Sequence, residues 1–133
     1  MQFAATKDGG SSWGTAITAS FWATSKAESG QANAPSYQSD RDTVNTTPCK
    51  ISSEQGGDTD EAGAITMYLF SPASTAERAT TFYSESSIYQ SSSYAQQDFV
   101  AGYINTSDVV NGIKFYYTSG NVKRGTFKLY GLL

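Results

Sequence analysis

Hydrophobic and polar residues alternate with period two along several short runs of this chain, which is the pattern of half-buried β-strands. Gln2 to Thr6 reads as a first strand, followed by a turn over Lys7-Asp8-Gly9-Gly10-Ser11-Ser12. Ala16 to Thr24 reads as a second, with Ile17, Ala19 and Phe21 set against Thr18, Ser20 and Trp22. From Ser25 to Gln55 the alternation fades among Gly, Pro, Asn, Asp and Ser. That stretch predicts loop, with one edge strand near Thr43–Ile51. Ala64 to Phe70 is the clearest strand, with Ile65, Met67 and Leu69 on one face and Thr66, Tyr68 and Phe70 on the other. Ser71-Pro72 ends it, and Ala73–Ala79 has room for one helical turn without an amphipathic stripe. Thr80 to Tyr83, Asp98 to Asn105, Ile113 to Thr118 and Gly125 to Leu132 complete the strands, and Ser84 to Ser93 reads as a Ser-rich connection.

Seven or eight strands separated by turns predict an all-β fold, an antiparallel β-sandwich of jelly-roll type with almost no helix. The predicted core is Ile17, Phe21, Ile65, Met67, Leu69, Phe82, Phe99, Ala101, Ile113, Phe115, Phe127 and Leu129. Ile113, Phe115 and Tyr117 share parity with Phe127, Leu129 and Gly131. Keeping those faces together in a C-terminal hairpin calls for an odd loop, Ser119-Gly120-Asn121, with Asn121 in the left-handed conformation.

Composition narrows the chemistry. The chain has 133 residues, one domain's worth, and 14 % aromatics, too many for a disordered segment. Its net charge is −3 and its nine cations are scattered. No basic stripe exists to meet nucleic-acid phosphates or a membrane surface, and no apolar run is long enough to span a bilayer. The reading therefore expects no nucleic acid and no membrane insertion. There is no histidine and one cysteine, which removes His-dependent nucleophilic catalysis and His- or Cys-ligated metal centres. Asp58, Asp60 and Glu61 form an acidic loop that matches no calcium template. The expectation is a chain that is not an enzyme and has no catalytic residues, no cofactor and no metal.

Thr6-Lys7-Asp8-Gly9-Gly10-Ser11-Ser12-Trp13 resembles the Asp box, a structural hairpin of sialidase propeller blades, through Thr6, Asp8, Gly10, Ser12 and Trp13. In that pattern Asp8 accepts amide hydrogen bonds across the turn, Gly10 takes positive φ and Trp13 packs beneath the loop. The chain is too short for a propeller. A second resemblance is carried by Gly63-Ala64-Ile65-Thr66-Met67-Tyr68-Leu69-Phe70-Ser71-Pro72 and Phe99-Val100-Ala101-Gly102-Tyr103-Ile104-Asn105. It continues through Asn111-Gly112-Ile113-Lys114-Phe115-Tyr116-Tyr117-Thr118-Ser119-Gly120-Asn121 to Gly125-Thr126-Phe127-Lys128-Leu129-Tyr130-Gly131. Together these are similar to C-terminal β-sandwich domains of tailed-bacteriophage virion proteins, over residues 1–24 and 62–133.

That resemblance implies a non-enzymatic structural or adhesive protein of the virion, on a tail fibre or as a capsid decoration or head fibre. It implies self-assembly, commonly as a homotrimer, contact with other virion proteins and attachment to a host surface. Residues 1–133 are then a single β-sandwich domain, either complete or the C-terminal part of a longer chain. Tyr68, Phe70, Tyr116 and Tyr130 are the candidate interface residues, expected to form one patch if their strands are neighbours. The alternative reading is a carbohydrate-binding module or lectin, in which Trp13, Trp22, Tyr37, Tyr83, Tyr89 and Tyr94 stack on sugar faces.

Overall fold

A computed structural model describes residues 1–59, 61–75 and 79–131. Among these the structure is all β, with no helix. Nine strands form: β1 (Gln2–Thr6), β2 (Ile17–Ala27), β3 (Ala32–Tyr37), β4 (Thr43–Thr46), β5 (Cys49–Lys50), β6 (Gly63–Leu69), β7 (Thr80–Gln90), β8 (Tyr94–Ile104) and β9 (Gly112–Tyr116). They make two antiparallel sheets of a β-sandwich. One has the order β5-β1-β9, the other β3-β2-β8-β7-β6, with β4 sharing the β3 side of β2. The possible helical turn at Ala73–Ala79 includes residues 76–78, which lie outside the described residues.

Alternation builds the core. Ile17, Ala19, Phe21 and Ala23 of β2 point inward with Phe82 of β7 and Val100 and Ile104 of β8. Phe3 and Ala5 of β1 meet them from the smaller sheet, and Phe3 packs edge-on to Phe82 at 5.0 Å between ring centres. That T-shaped pair joins the two sheets directly. Ile65, Met67, Leu69, Ile113 and Phe115 pack against this cluster but stay partly open.

Three expectations are corrected. The Ser-rich stretch 84–93 mostly continues β7, because Ser84, Ser86 and Ile88 alternate inward against Glu85, Ser87 and Tyr89. β3 falls in the presumed loop; it is an edge strand, exposed throughout, which is where Pro35 is tolerated. In β8 the faces are the reverse of those expected: Phe99 and Ala101 point outward, and Val100 and Ile104 point inward. Both parities of that strand are apolar. The register is set by inward Asp98, which is anchored in the core, and by Gly102, which passes tight against β2.

The C-terminal hairpin is also corrected. β9 pairs with β1, not with a later strand, and residues 117–131 form no strand. Phe127 and Leu129 are therefore exposed and outside the core, and Gly120 rather than Asn121 has the left-handed φ, at 74°.

Candidate functional site

The outer face of the larger sheet carries an aromatic surface. Successive strands place Tyr37, Trp22, Phe99, Glu85 and Thr66 in one cross-strand row. The next row holds Ser20, Ala101, Tyr83 and Tyr68, and the third holds Thr18, Tyr103 and Thr81, with Phe70 closing on Thr81 through a 2.9 Å backbone hydrogen bond. Seven aromatic side chains lie here, all more than one third exposed. The rings share one face but fall into two contacting groups, Trp22 with Tyr37 and Tyr68 with Tyr83 and Phe70, while Phe99 and Tyr103 make no ring contact among the described residues.

The rings brace one another. Tyr68 stacks on Tyr83 at 4.7 Å and 19°, and Phe70 lies 6.1 Å from Tyr83. Trp22 leans on Tyr37 at 5.6 Å. Tyr37 Oη donates to Asp42, whose other oxygen accepts from the Phe21 amide at 2.9 Å. Asp42 thus ties the edge ring to β2, and this bond holds the Tyr37 phenol above its ordinary pKa. Burial, and then the neighbouring Tyr68 and Glu85, raise that of Tyr83. Polar groups are interleaved: Glu85, Ser20 and Thr66 stand between the rings.

No family model, curated protein or solved structure matches the chain. The site is therefore read from its own residues.

Of the six aromatics read as glycan contacts, the structure brings together Trp22, Tyr37 and Tyr83. Tyr89 lies on the same side, at the far end of β7, and its hydroxyl donates to Glu28 at 3.0 Å. Tyr94 lines a polar cavity of about 330 Å³ with Ser25, Asn33, Ser36 and Arg41. Trp13 lies in the connection between β1 and β2, beside β9 of the smaller sheet, where Lys114 Nζ sits 4.9 Å from its ring and 5.2 Å from that of Tyr116.

The four interface candidates do not form one patch. Tyr68 and Phe70 join the aromatic face, whereas Tyr116 is on β9 of the smaller sheet and Tyr130 lies beyond the last strand. The condition for a shared patch, that β6 and β9 be neighbours in one sheet, is not met. Phe99 and Tyr103 were missed as members of the face. Their strand offers apolar residues at both parities, so its alternation alone cannot orient it.

The Asp-box-like segment makes the turn its residues suggest, but it is not a hairpin: β1 and β2 do not pair, and the turn carries the chain from the smaller sheet to the larger. Thr6 Oγ1 donates to Asp8 Oδ1 at 2.6 Å, and that oxygen accepts from the Ser12 amide at 2.9 Å. Gly10 has φ 95°, and a β-carbon built on it would lie 3.4 Å from the Trp13 ring. The Thr6 hydroxyl and then the Ser12 amide hold the Asp8 carboxyl below its ordinary pKa. These bonds are internal to the turn, and Asn111 holds it from outside: its Oδ1 accepts from the Gly9 amide at 3.1 Å and its Nδ2 donates to the Lys7 carbonyl at 3.2 Å. In the acidic loop, Glu61 Oε2 accepts from the Asp58 amide at 2.5 Å, and Asp60 lies outside the described residues.

Proposed function

We propose that this chain is a non-enzymatic structural and adhesive protein of a tailed-phage virion, carried on a tail fibre or as a capsid decoration or head fibre. The observation that carries the adhesive part is the seven-ring outer face of the larger sheet. Exposed aromatic residues gathered on one sheet face support an interaction role, and tyrosine suits one, being apolar in body and polar at its tip. The virion address rests on the C-terminal sequence resemblance. Self-assembly, as a homotrimer, belongs to the same reading, as does contact with other virion proteins. No helix among the described residues is long and apolar enough to cross a membrane.

Immunogold labelling of purified particles with antibody to this chain tests the address. Label on the head or tail is expected, and particles that contain no copy of the chain overturn the proposal. The interleaving of rings with Glu85, Ser20 and Thr66 favours a second reading, a carbohydrate-binding face, since sugars present apolar faces and hydroxyl edges together. A glycan array probed with the wild-type chain and with Trp22→Ala separates the two. Specific binding lost in the variant supports the lectin reading, and no binding by either protein removes it.

A further inference from the structure

Residues 125–131 have the sequence of a strand and no strand to join. Phe127 and Leu129 alternate with Thr126, Lys128 and Tyr130, yet no backbone hydrogen bond ties 125–131 to any strand among the described residues. Leu129 is 95 % exposed, Tyr130 74 % and Phe127 63 %. The segment's one ring contact is Phe127 on Phe115, at 6.1 Å and 24°.

The body of the fold has a matching vacancy. Among the described residues β9 is an edge strand, paired with β1, and β6 is the edge of the larger sheet. Gln55 bridges this side of the sandwich: its Oε1 accepts from Tyr117 Oη at 2.9 Å, just beyond β9, and it lies close to Gly63 at the start of β6. Of the six partly covered residues packed on the core, Ile65, Met67, Leu69, Ile113 and Phe115 belong to these two edge strands, and Met1 precedes β1. The smaller sheet is one strand short where the core is least covered.

We propose that residues 125–131 add as a strand to the free edge of β9 in a second copy of this chain, Phe127 exchanging the Phe115 of its own chain for that of the second copy and Leu129 covering the core beside it. Unpaired edges recruit strands by main-chain hydrogen bonding, and alternate side chains give such additions their specificity. Charge favours the association at long range: residues 117–133 hold three cations, Lys123, Arg124 and Lys128, and no acid, while residues 1–116 hold six cations and all twelve acids. β9 itself carries Lys114 and no acid, so at the edge the contact is made by main-chain hydrogen bonds and apolar side chains. The inference rests on the self-assembly part of the reading above and is independent of the aromatic face and of the virion address.

Sedimentation velocity of the full chain gives the first test, with Leu129→Asp and with deletion of residues 125–133. The wild type is expected to sediment as an oligomer and both variants as monomers. Leu129 is nearly fully exposed in the single chain, so Leu129→Asp leaves the fold intact, which far-UV circular dichroism checks. A monomeric wild type, or an oligomer that survives both changes, overturns the proposal. Amine cross-linking of mixed ¹⁴N- and ¹⁵N-labelled copies gives the second. Lys114 and Lys128 should be joined in mixed-isotope pairs, and links found only within one copy overturn the exchange. Attachment through the aromatic face is read separately with Trp22→Ala, so either idea fails alone.

Discussion

Phe99 stands directly opposite Trp22 across the β2–β8 ladder, and both rings face outward, while their neighbours Val100 and Phe21 are paired and buried one position along. This orientation makes a stability prediction. A cross-strand aromatic pair at the surface contributes about 0.2–1 kcal/mol. Phe99→Ala should therefore cost no more than about 1.5 kcal/mol, whereas Phe21→Ala should cost about 3–5 kcal/mol. Guanidinium denaturation of both variants measures the contrast. Equal losses would mean that β8 presents its other face to the core.

Asp98 is fully buried and accepts four hydrogen bonds: from the Ser53 amide at 2.6 Å, Ser53 Oγ at 2.7 Å, Ser86 Oγ at 2.8 Å and Gln96 Nε2 at 2.9 Å. Arg41 also donates to Ser53 Oγ. The network ties the chain after β5 to the inner faces of β7 and β8. Each buried donor left without a partner costs about 1–3 kcal/mol. Asp98→Asn replaces an acceptor by a donor that faces donors, so it should destabilise by more than Ser86→Ala does, and Asp98→Ala by about 3 kcal/mol or more. Urea midpoints for the three variants decide this; a silent Asp98→Ala would refute the network's role.

The alternation of Ile17, Ala19 and Phe21 placed β2 from sequence alone, because only one of its parities is consistently apolar. β8 resisted the same reasoning, since Val100 and Ile104 compete with Phe99, Ala101 and Tyr103. What decides its orientation is long-range: Ser53 meets Asp98 across the sandwich from 45 positions away. The aromatic face was legible in half. Trp22, Tyr37 and Tyr83 were recognised as candidates by residue type, but that Tyr68 and Phe70 stand beside them follows from strand order, which the local pattern does not encode. The Asp-box-like turn was legible as far as its local hydrogen bonds run, between residues at most four apart; its bonds to Asn111 and Asp108, and the fact that it joins two sheets instead of two paired strands, are long-range. Gly125 to Leu132 reads as a strand but residues 125–131 form none, because alternation announces a strand without supplying its partner.

Gly102 is inward-facing on β8, opposite Phe82. A β-carbon built there would lie 2.3 Å from the Thr18 carbonyl oxygen and 2.6 Å from the Ala19 β-carbon. Both groups belong to the neighbouring strand, one of them backbone, so neither yields without distorting the ladder. Gly102→Ala should therefore destabilise by about 3 kcal/mol, at the upper end of overpacking costs. Gly120→Ala makes the comparison: nothing lies near its β-carbon position, and only its left-handed backbone is strained, which costs about 1 kcal/mol. Thermal melts of the two variants should differ in that order.

Cys49 is wholly buried at the junction of β5 with the core. Burial is the main cause that pushes its thiol pKa up from 9.0 to about 11; a hydrogen bond with Thr43 opposes the shift and Asp42 adds to it. Two consequences can be measured. A thiolate is the reactive species, so an aromatic disulfide reagent at pH 8 should not label the native chain and should label it fully once it is unfolded. Stability should also depend on alkaline pH. Between 9.0 and about 11 the unfolded thiol has lost its proton while the folded thiol keeps it, so the native state binds more protons there. The contribution is complete below pH 9 and is lost as pH rises through that window. Tyr37, Tyr83 and Tyr117 also have raised pKa values and slope the same way, so the comparison must isolate the thiol. Stability measured from pH 8 to pH 10.5 should fall more steeply for the wild type than for Cys49→Ala. Parallel curves, or rapid labelling of the native chain, would show that Cys49 is not sealed in the core.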